Sequence, residues 1–188
     1  MKIYRNFDNI VGDFTACIGF FDGVHRGHQF LLSHLRQEAS QQGMQSAVVT
    51  FVNHPRKVIQ PDFDLLLIDT LEERLGKLDR MGIDACFLID FTEEVRQLTA
   101  QQFITDVLSH QMHIRRLLIG YDHRFGRNRA EGFEDYVRYG QLCGMEIVQE
   151  PVLDDGSGLN YSSSEVRRAL KAGDRAKVER LLGWNEMR

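Results

Sequence analysis

Short apolar runs alternate with longer stretches whose apolar positions recur at helical spacing. The runs fall at residues 15–20, 46–51, 85–89, 116–119 and 146–149, each nearly all apolar and rich in β-branched side chains. Runs of this kind suit parallel strands covered on both faces. The stretches between them carry helix punctuation. Residues 29–42 stop at Gly43, a natural helix terminator. Residues 71–81 place Leu71, Leu75 and Leu78 on one face, with Thr70 and Glu73 at capping-box spacing and Gly82 at the end. Residues 100–109 repeat the device with Thr99 and Gln102, and residues 134–142 precede Gly144. Strand–helix alternation of this length predicts an α/β fold, a doubly wound Rossmann-like sheet of five parallel strands with right-handed crossovers.

The pattern changes after Pro151. Residues 154–158, Asp-Asp-Gly-Ser-Gly, read as a turn and as the tip of a β-hairpin between Val152 and Tyr161. Two short helices, 164–171 and 174–182, follow on either side of Gly173 and form a small C-terminal helical subregion. There is no internal repeat, low-complexity segment or interdomain linker, so residues 1–188 read as one domain.

Composition narrows the classes of function. The 188 residues are 43% hydrophobic and 27% charged, with a formal net charge of −4. That balance argues against non-specific nucleic-acid binding, which relies on widespread positive charge. No apolar stretch is long enough to cross a bilayer and residues 1–9 lack a signal-peptide core, so a cytoplasmic location is expected. The three cysteines, Cys17, Cys86 and Cys143, are odd in number and read as reduced core residues.

An anionic ligand must therefore be held by local groups, and one segment offers them. Residues 19–28 read Gly-Phe-Phe-Asp-Gly-Val-His-Arg-Gly-His at a strand-to-helix junction. Free N–H groups at a helix start attract anions. Gly19 and Gly27 let backbone approach a ligand, and Gly23 permits a turn that a Cβ would oppose. His25 and His28, three apart, can face one phosphate. A metal site would need further ligands, and Cys17, His54 and His123 do not stand at metal-ligand spacing.

This segment resembles the nucleotide-binding signature of the adenylyltransferase/cytidylyltransferase superfamily. Its Phe-Asp-Gly-Val-His form is most similar to the FAD synthetase module of bacterial bifunctional riboflavin kinase/FAD synthetases. Three further segments agree with that resemblance. Ser162-Ser163-Ser164-Glu165-Val166-Arg167 has capping-box spacing and resembles the Ser-Ser-Thr-x-Ile-Arg motif that closes the superfamily's triphosphate site. Thr50-Phe51-Val52-Asn53-His54-Pro55 resembles the family's Thr-Phe-x-Pro-His-Pro, with Asn53 in place of the first proline. Phe51 there has two readings, a stacking partner for flavin or a core residue at a strand end. Residues 120–126, Gly-Tyr-Asp-His-Arg-Phe-Gly, resemble Gly-x-Asp-Phe-Arg-Phe-Gly, with His123 in place of phenylalanine. Arg124, Arg127 and Arg129 beside it read either as a phosphate lure or as a solvated basic loop.

The resemblance implies an FMN adenylyltransferase that joins ATP and FMN into FAD and pyrophosphate. It implies catalytic roles at the phosphates for His25, His28, Ser163, Ser164 and Arg167. It places ATP against Gly19, Phe20, Phe21, Asp22, Gly23, Gly27 and Asp122, and flavin against Phe51, Asn53, His54 and Pro55. Mg²⁺ would accompany ATP without dedicated protein ligands. Another phosphate acceptor, or nucleotide binding without turnover, remain the alternative readings. In the resembling enzymes a riboflavin kinase barrel follows at about the point where this chain stops. The chain is therefore expected to be an excised module or a stand-alone form that makes no FMN from riboflavin.

Overall fold

The computed structural model describes residues 1–60, 62, 65–121 and 123–184. Six strands, β1 (Lys2–Tyr4), β2 (Phe14–Ile18), β3 (Gln45–Phe51), β4 (Ala85–Ile89), β5 (Ile114–Gly120) and β6 (Glu146–Glu150), form one parallel sheet. Their order is β1-β4-β3-β2-β5-β6. Every residue of β2 and β4 is buried, which is why these strands read as continuous apolar runs.

Alternation along the strands divides the core into two faces. Phe14, Ala16 and Ile18 of β2 join Val49, Phe87 and Leu117 on one side. Cys17, Val48 and Leu118 join Leu32, Leu35 and Leu78 on the other. The second face is covered by α1 (Arg26–Gln41) and α3 (Leu71–Arg80), the first by the 100–112 helix and α6 (Phe133–Leu142). Thr70 and Glu73 form the expected capping box, as do Thr99 and Gln102. After α5 (Ala100–Gln102) the helix widens into π geometry over Phe103–Gln111, and Phe103, Ile104, Leu108 and Met112 are all buried against the sheet.

The sheet has one strand more than the sequence predicts. β1 runs beside β4 with Lys2 opposite Ala85 and Tyr4 opposite Phe87, and the Tyr4 and Phe87 rings stack at 5.2 Å. Three residues on an edge, two of them exposed, produce no buried run for the pattern to detect. The short helices α2 (Pro55–Ile59) and α4 (Glu93–Gln97) likewise bury no residue fully and leave no periodic signal. The hairpin expected between Val152 and Tyr161 does not form. Asp154 and Asp155 instead accept the Gly156 and Ser157 amides in successive side-chain turns, and the Tyr161 hydroxyl donates to Asp155.

β2 is the topological pivot, because the chain leaves it toward β3 on one side and returns to β5 on the other. Ligands in such sheets bind beyond the carboxyl ends of the strands at this point of reversal. Two features close the crevice there. The C-terminal pair α7 (Ser163–Ala172) and α8 (Arg175–Leu182) packs through Val166, Ala169 and Leu181 onto Tyr161 and Ile68. The loop after β5 is clasped by Tyr136, whose hydroxyl accepts the Phe125 N–H and donates to the Phe125 carbonyl, both at 3.0 Å. Tyr136→Phe removes the partner of that half-buried amide, so urea unfolding should show a loss of about 1–3 kcal/mol. Unchanged stability would show that the clasp contributes nothing.

Candidate active site

The turn that follows β2 is held in an unusual backbone form. Phe21, Gly23 and Val24 have φ of 58°, 81° and 42°. A β-branched residue at positive φ is strained and persists only where its surroundings fix it. The Val24 carbonyl accepts from Gln29 Nε2 at 2.8 Å and from Trp184 Nε1 at 2.9 Å. Gly23 cannot be replaced freely, since a Cβ would lie 3.0 Å from Leu182 and 3.1 Å from Ile68. Gly27 sits in the first turn of α1 with the Tyr161 carbonyl 3.0 Å from where its Cβ would be.

His25 is the N-cap of α1, and its Nδ1 accepts the His28 N–H at 3.3 Å. Acceptance at Nδ1 places the proton of the neutral ring on Nε2, so His25 is a donor of fixed tautomer. The His25 and His28 rings stack at 3.6 Å, and Phe21 meets His28 edge-on. Burial pushes His25 down from 6.5 to about 4, with the neighbouring Arg167 acting in the same direction and Asp22 opposing. Burial, His25 and His123 push His28 well below the usual imidazole range. Both rings are neutral at pH 7.

Asp22 joins the histidine turn to the distant α7. Its carboxylate, 2% exposed, accepts the Ile68 and Asp69 amides and pairs with Arg167 Nη2 at 2.6 Å. Ser163 Oγ donates to the Asp22 carbonyl at 3.0 Å, and Arg167 Nε donates to the Leu66 carbonyl at 2.8 Å. Ser162 caps α7 by accepting the Glu165 N–H, but Glu165 turns to Lys177 and Arg168 rather than back to residue 162. Ser164 is exposed at the helix start. The sequence assigns Asp22 to ATP; in the structure its oxygens are occupied by protein donors that tie three segments together.

The loop after β3 forms the opposite wall. His54 caps α2, its Nδ1 accepting the Arg56 N–H at 3.1 Å, so it too carries its proton on Nε2. Burial and nearby cations push it down to about 4. Its ring meets Phe20 at 4.4 Å. Asn53 spends both ends of its amide on Phe91, donating to the carbonyl and accepting the N–H. The residue that departs from the family's proline is thus a brace. Phe51 is buried against Phe91 and takes the core reading, while Pro55 opens α2. Gly19 leads out of β2, donating to the Val49 carbonyl.

A cavity of about 440 Å³ lies past the ends of β5 and β6, lined by Ile119, Tyr121, His123, Arg124, Tyr136 and Gln149. Arg124, Arg127 and Arg129 are exposed around its rim loop. Asp122 lies outside the described residues. No group of three or more His, Cys, Asp or Glu side chains among the described residues could hold a metal ion. No helix among them is long and apolar enough to cross a membrane.

Sequence reasoning missed Arg74, which is 2% exposed on α3 beneath Phe20. The signal was present: position 74 falls on the same helical face as Leu71 and Leu78, where an arginine is out of place.

A parallel sheet flanked by helices, with histidines and free helix N–H groups gathered at its switch point, defines a doubly wound α/β domain of the Rossmann-like class. The comparisons with known proteins specify it further. Residues 9–164 match the FAD synthetase family, and the chain belongs to that family. It is 34% identical to a bifunctional riboflavin kinase/FMN adenylyltransferase of Pseudomonas fluorescens, across 97% of this chain and 59% of that protein. The like-named protein of Escherichia coli K12 gives the same identity and coverage. A solved structure described as a macrolide-efflux protein from Streptococcus pneumoniae superposes with a TM-score of 0.83 at 28% identity, across 97% of this chain and 61% of that one. The chain thus spans about three-fifths of the length of these curated relatives.

The histidine caps predict a pH dependence. Below pH 6.5 the unfolded chain takes up a proton that folded His25 refuses until about pH 4. The unfolded state then binds more protons, so stability falls as pH drops through that window. Asparagine also caps helices but does not titrate there. Melting temperatures measured from pH 7 to pH 4 should therefore fall less steeply for His25→Asn than for the wild type. Parallel curves would contradict the assignment.

Proposed function

We propose that this chain is a single FMN adenylyltransferase domain that converts ATP and FMN to FAD and pyrophosphate. One observation carries the reading: the histidine turn after β2 and the serine–arginine start of α7, 141 residues apart at Asp22 and Ser163, are bonded into one crevice. The family membership supports it.

An oxygen of the FMN phosphate attacks the α-phosphorus of ATP in line. The new P–O bond forms as the bond to the bridging α–β oxygen breaks, and pyrophosphate leaves with that electron pair. The acceptor is already a nucleophile, so the protein positions the reactants and stabilises charge. His25 and His28 donate to the α-phosphate oxygens as negative charge develops there, a role that suits neutral imidazoles, with the tautomer of His25 fixed by its helix cap. The free N–H groups at the start of α7, with Ser163 and Ser164, face the β- and γ-phosphates. Arg167 spends Nε and one Nη2 bond on protein and keeps the rest of its five donors for the leaving group. By the family resemblance ATP is assigned to Gly19, Phe20, Phe21, Asp22, Gly23, Gly27 and Asp122, and flavin to the loop of Asn53, His54 and Pro55, with Phe51 packed behind that loop.

Mg²⁺ would accompany ATP and neutralise phosphate charge without dedicated protein ligands. The same reading takes small molecules rather than nucleic acid as partners, a cytoplasmic location, and a riboflavin kinase domain in a longer form of the protein.

The test is pyrophosphate and FAD release from ATP, Mg²⁺ and FMN, with pantetheine phosphate and nicotinamide mononucleotide as competing acceptors. FAD should form, and His28→Ala should form it about 10²–10³-fold more slowly, the cost of one transition-state donor. Turnover only with another acceptor would replace the reading, and no turnover with any would remove the enzymatic one.

A further inference from the structure

Arg74 has no place in the mechanism above, yet its setting is costly. It is among the largest fully buried side chains in the molecule. Among the described residues no carboxylate pairs with it. The nearest acidic groups are committed elsewhere, Asp22 to Arg167 and Asp69 to Lys77 at 2.6 Å. Its Nε is enclosed with no hydrogen-bond partner. A buried cation without a paired anion is unfavourable, and an apolar side chain of similar volume would serve packing better.

What the guanidinium touches is specific. It lies 3.9 Å over the centre of the Phe20 ring and donates through Nη2 to the carbonyl of Phe51. Phe20 belongs to the loop after β2, and Phe51 is the last residue of β3. The His54 ring also meets Phe20, tilted against it at 4.4 Å between centroids. Thr50 Oγ1 donates to the Phe20 carbonyl at 3.2 Å, so the two loops are joined again beside the stack. A planar guanidinium can rest against an aromatic ring while one N–H of its fixed fork reaches a carbonyl, a geometry that the flexible stem and compact ammonium of lysine do not pre-organise.

We propose that Arg74 is a positioning residue for the phosphate acceptor: it sets Phe20, and through it His54, and places a positive charge without a carboxylate partner beneath the wall assigned to that acceptor. The proposal rests on the FMN adenylyltransferase reading for the identity of that acceptor. It assigns Arg74 to the acceptor half of the site, whereas Arg167 serves the nucleotide half.

Two readouts on intact protein separate this role from simple packing. One is the dissociation constant for FMN alone, from quenching of flavin fluorescence; the other is the pair of KM values for FMN and ATP. In Arg74→Met, FMN binding should weaken and its KM rise by about tenfold, the scale of one buried cation–π contact plus one hydrogen bond. The KM for ATP, whose side of the site also includes Phe20, should rise much less than that for FMN, and Tm should not fall. Arg74→Lys, which keeps the charge but not the fork, should be intermediate, and Arg74→Gln should resemble methionine. These two variants decide the matter if the methionine variant does not fold. Wild-type FMN affinity in the methionine or glutamine variant would overturn the proposal. So would equal losses for both substrates together with a lower Tm, which is what packing alone gives. If the wild type binds FMN but makes no FAD, the functional reading fails while the quenching titration still judges Arg74.

Discussion

The buried carboxylate of Asp22 is the interaction on which the site depends. It is 2% exposed and its oxygens receive two backbone amides and one guanidinium. Removing one member of such a buried pair costs about 3–5 kcal/mol, because the other is left uncompensated. That penalty binds together three segments that the sheet alone does not connect: the turn after β2, the stretch entering α3, and the start of α7. Trp184 and Gln29 add a second tie between the same turn and the end of α8. The strained backbone at Phe21 and Val24 is thereby fixed before any ligand arrives, which is the condition for electrostatic preorganisation.

The same economy governs the histidines. His25 and His54 each donate nothing through Nδ1, because each uses it to cap a helix. Their tautomers follow, and burial keeps both neutral near pH 7. Positive charge in the crevice is left to arginines: Arg167 on the side of α7 and Arg74 beneath the loop after β3. Neutral donors and cations at separate places suit a reaction in which an anion attacks an anion. On the proposed function, the cations would draw both substrates in and the neutral donors would act where charge builds.

Much of this was legible in the residues. Continuous apolar runs between capped helices imply a parallel sheet, and five of its six strands are those runs. Glycines and histidines at a strand-to-helix junction imply an anion site, and Ser162 through Arg167 imply a second. What could not be read was which polar groups would face the ligand and which would face the protein. The resemblance sets Asp22 against ATP and Asn53 against flavin, and the structure adds that their side chains also brace backbone 38 to 47 residues away. Arg74 looks like an ordinary polar position on a helix until its face is counted. Edge strand β1 was too short to show a pattern, and the residue-158 region forms side-chain turns where a hairpin would need a ladder.

The most direct measurement is native-state hydrogen exchange on Asp22→Asn, which keeps the shape of the side chain and removes its charge. Arg167 then faces an amide that cannot neutralise it. The account predicts faster exchange at the Ile68 and Asp69 amides and along the start of α7, with the amides of β2, β3 and β5 as protected as in the wild type. Unchanged protection at Ile68, Asp69 and Val166 would contradict it, showing that the three segments hold their places without the Asp22 carboxylate.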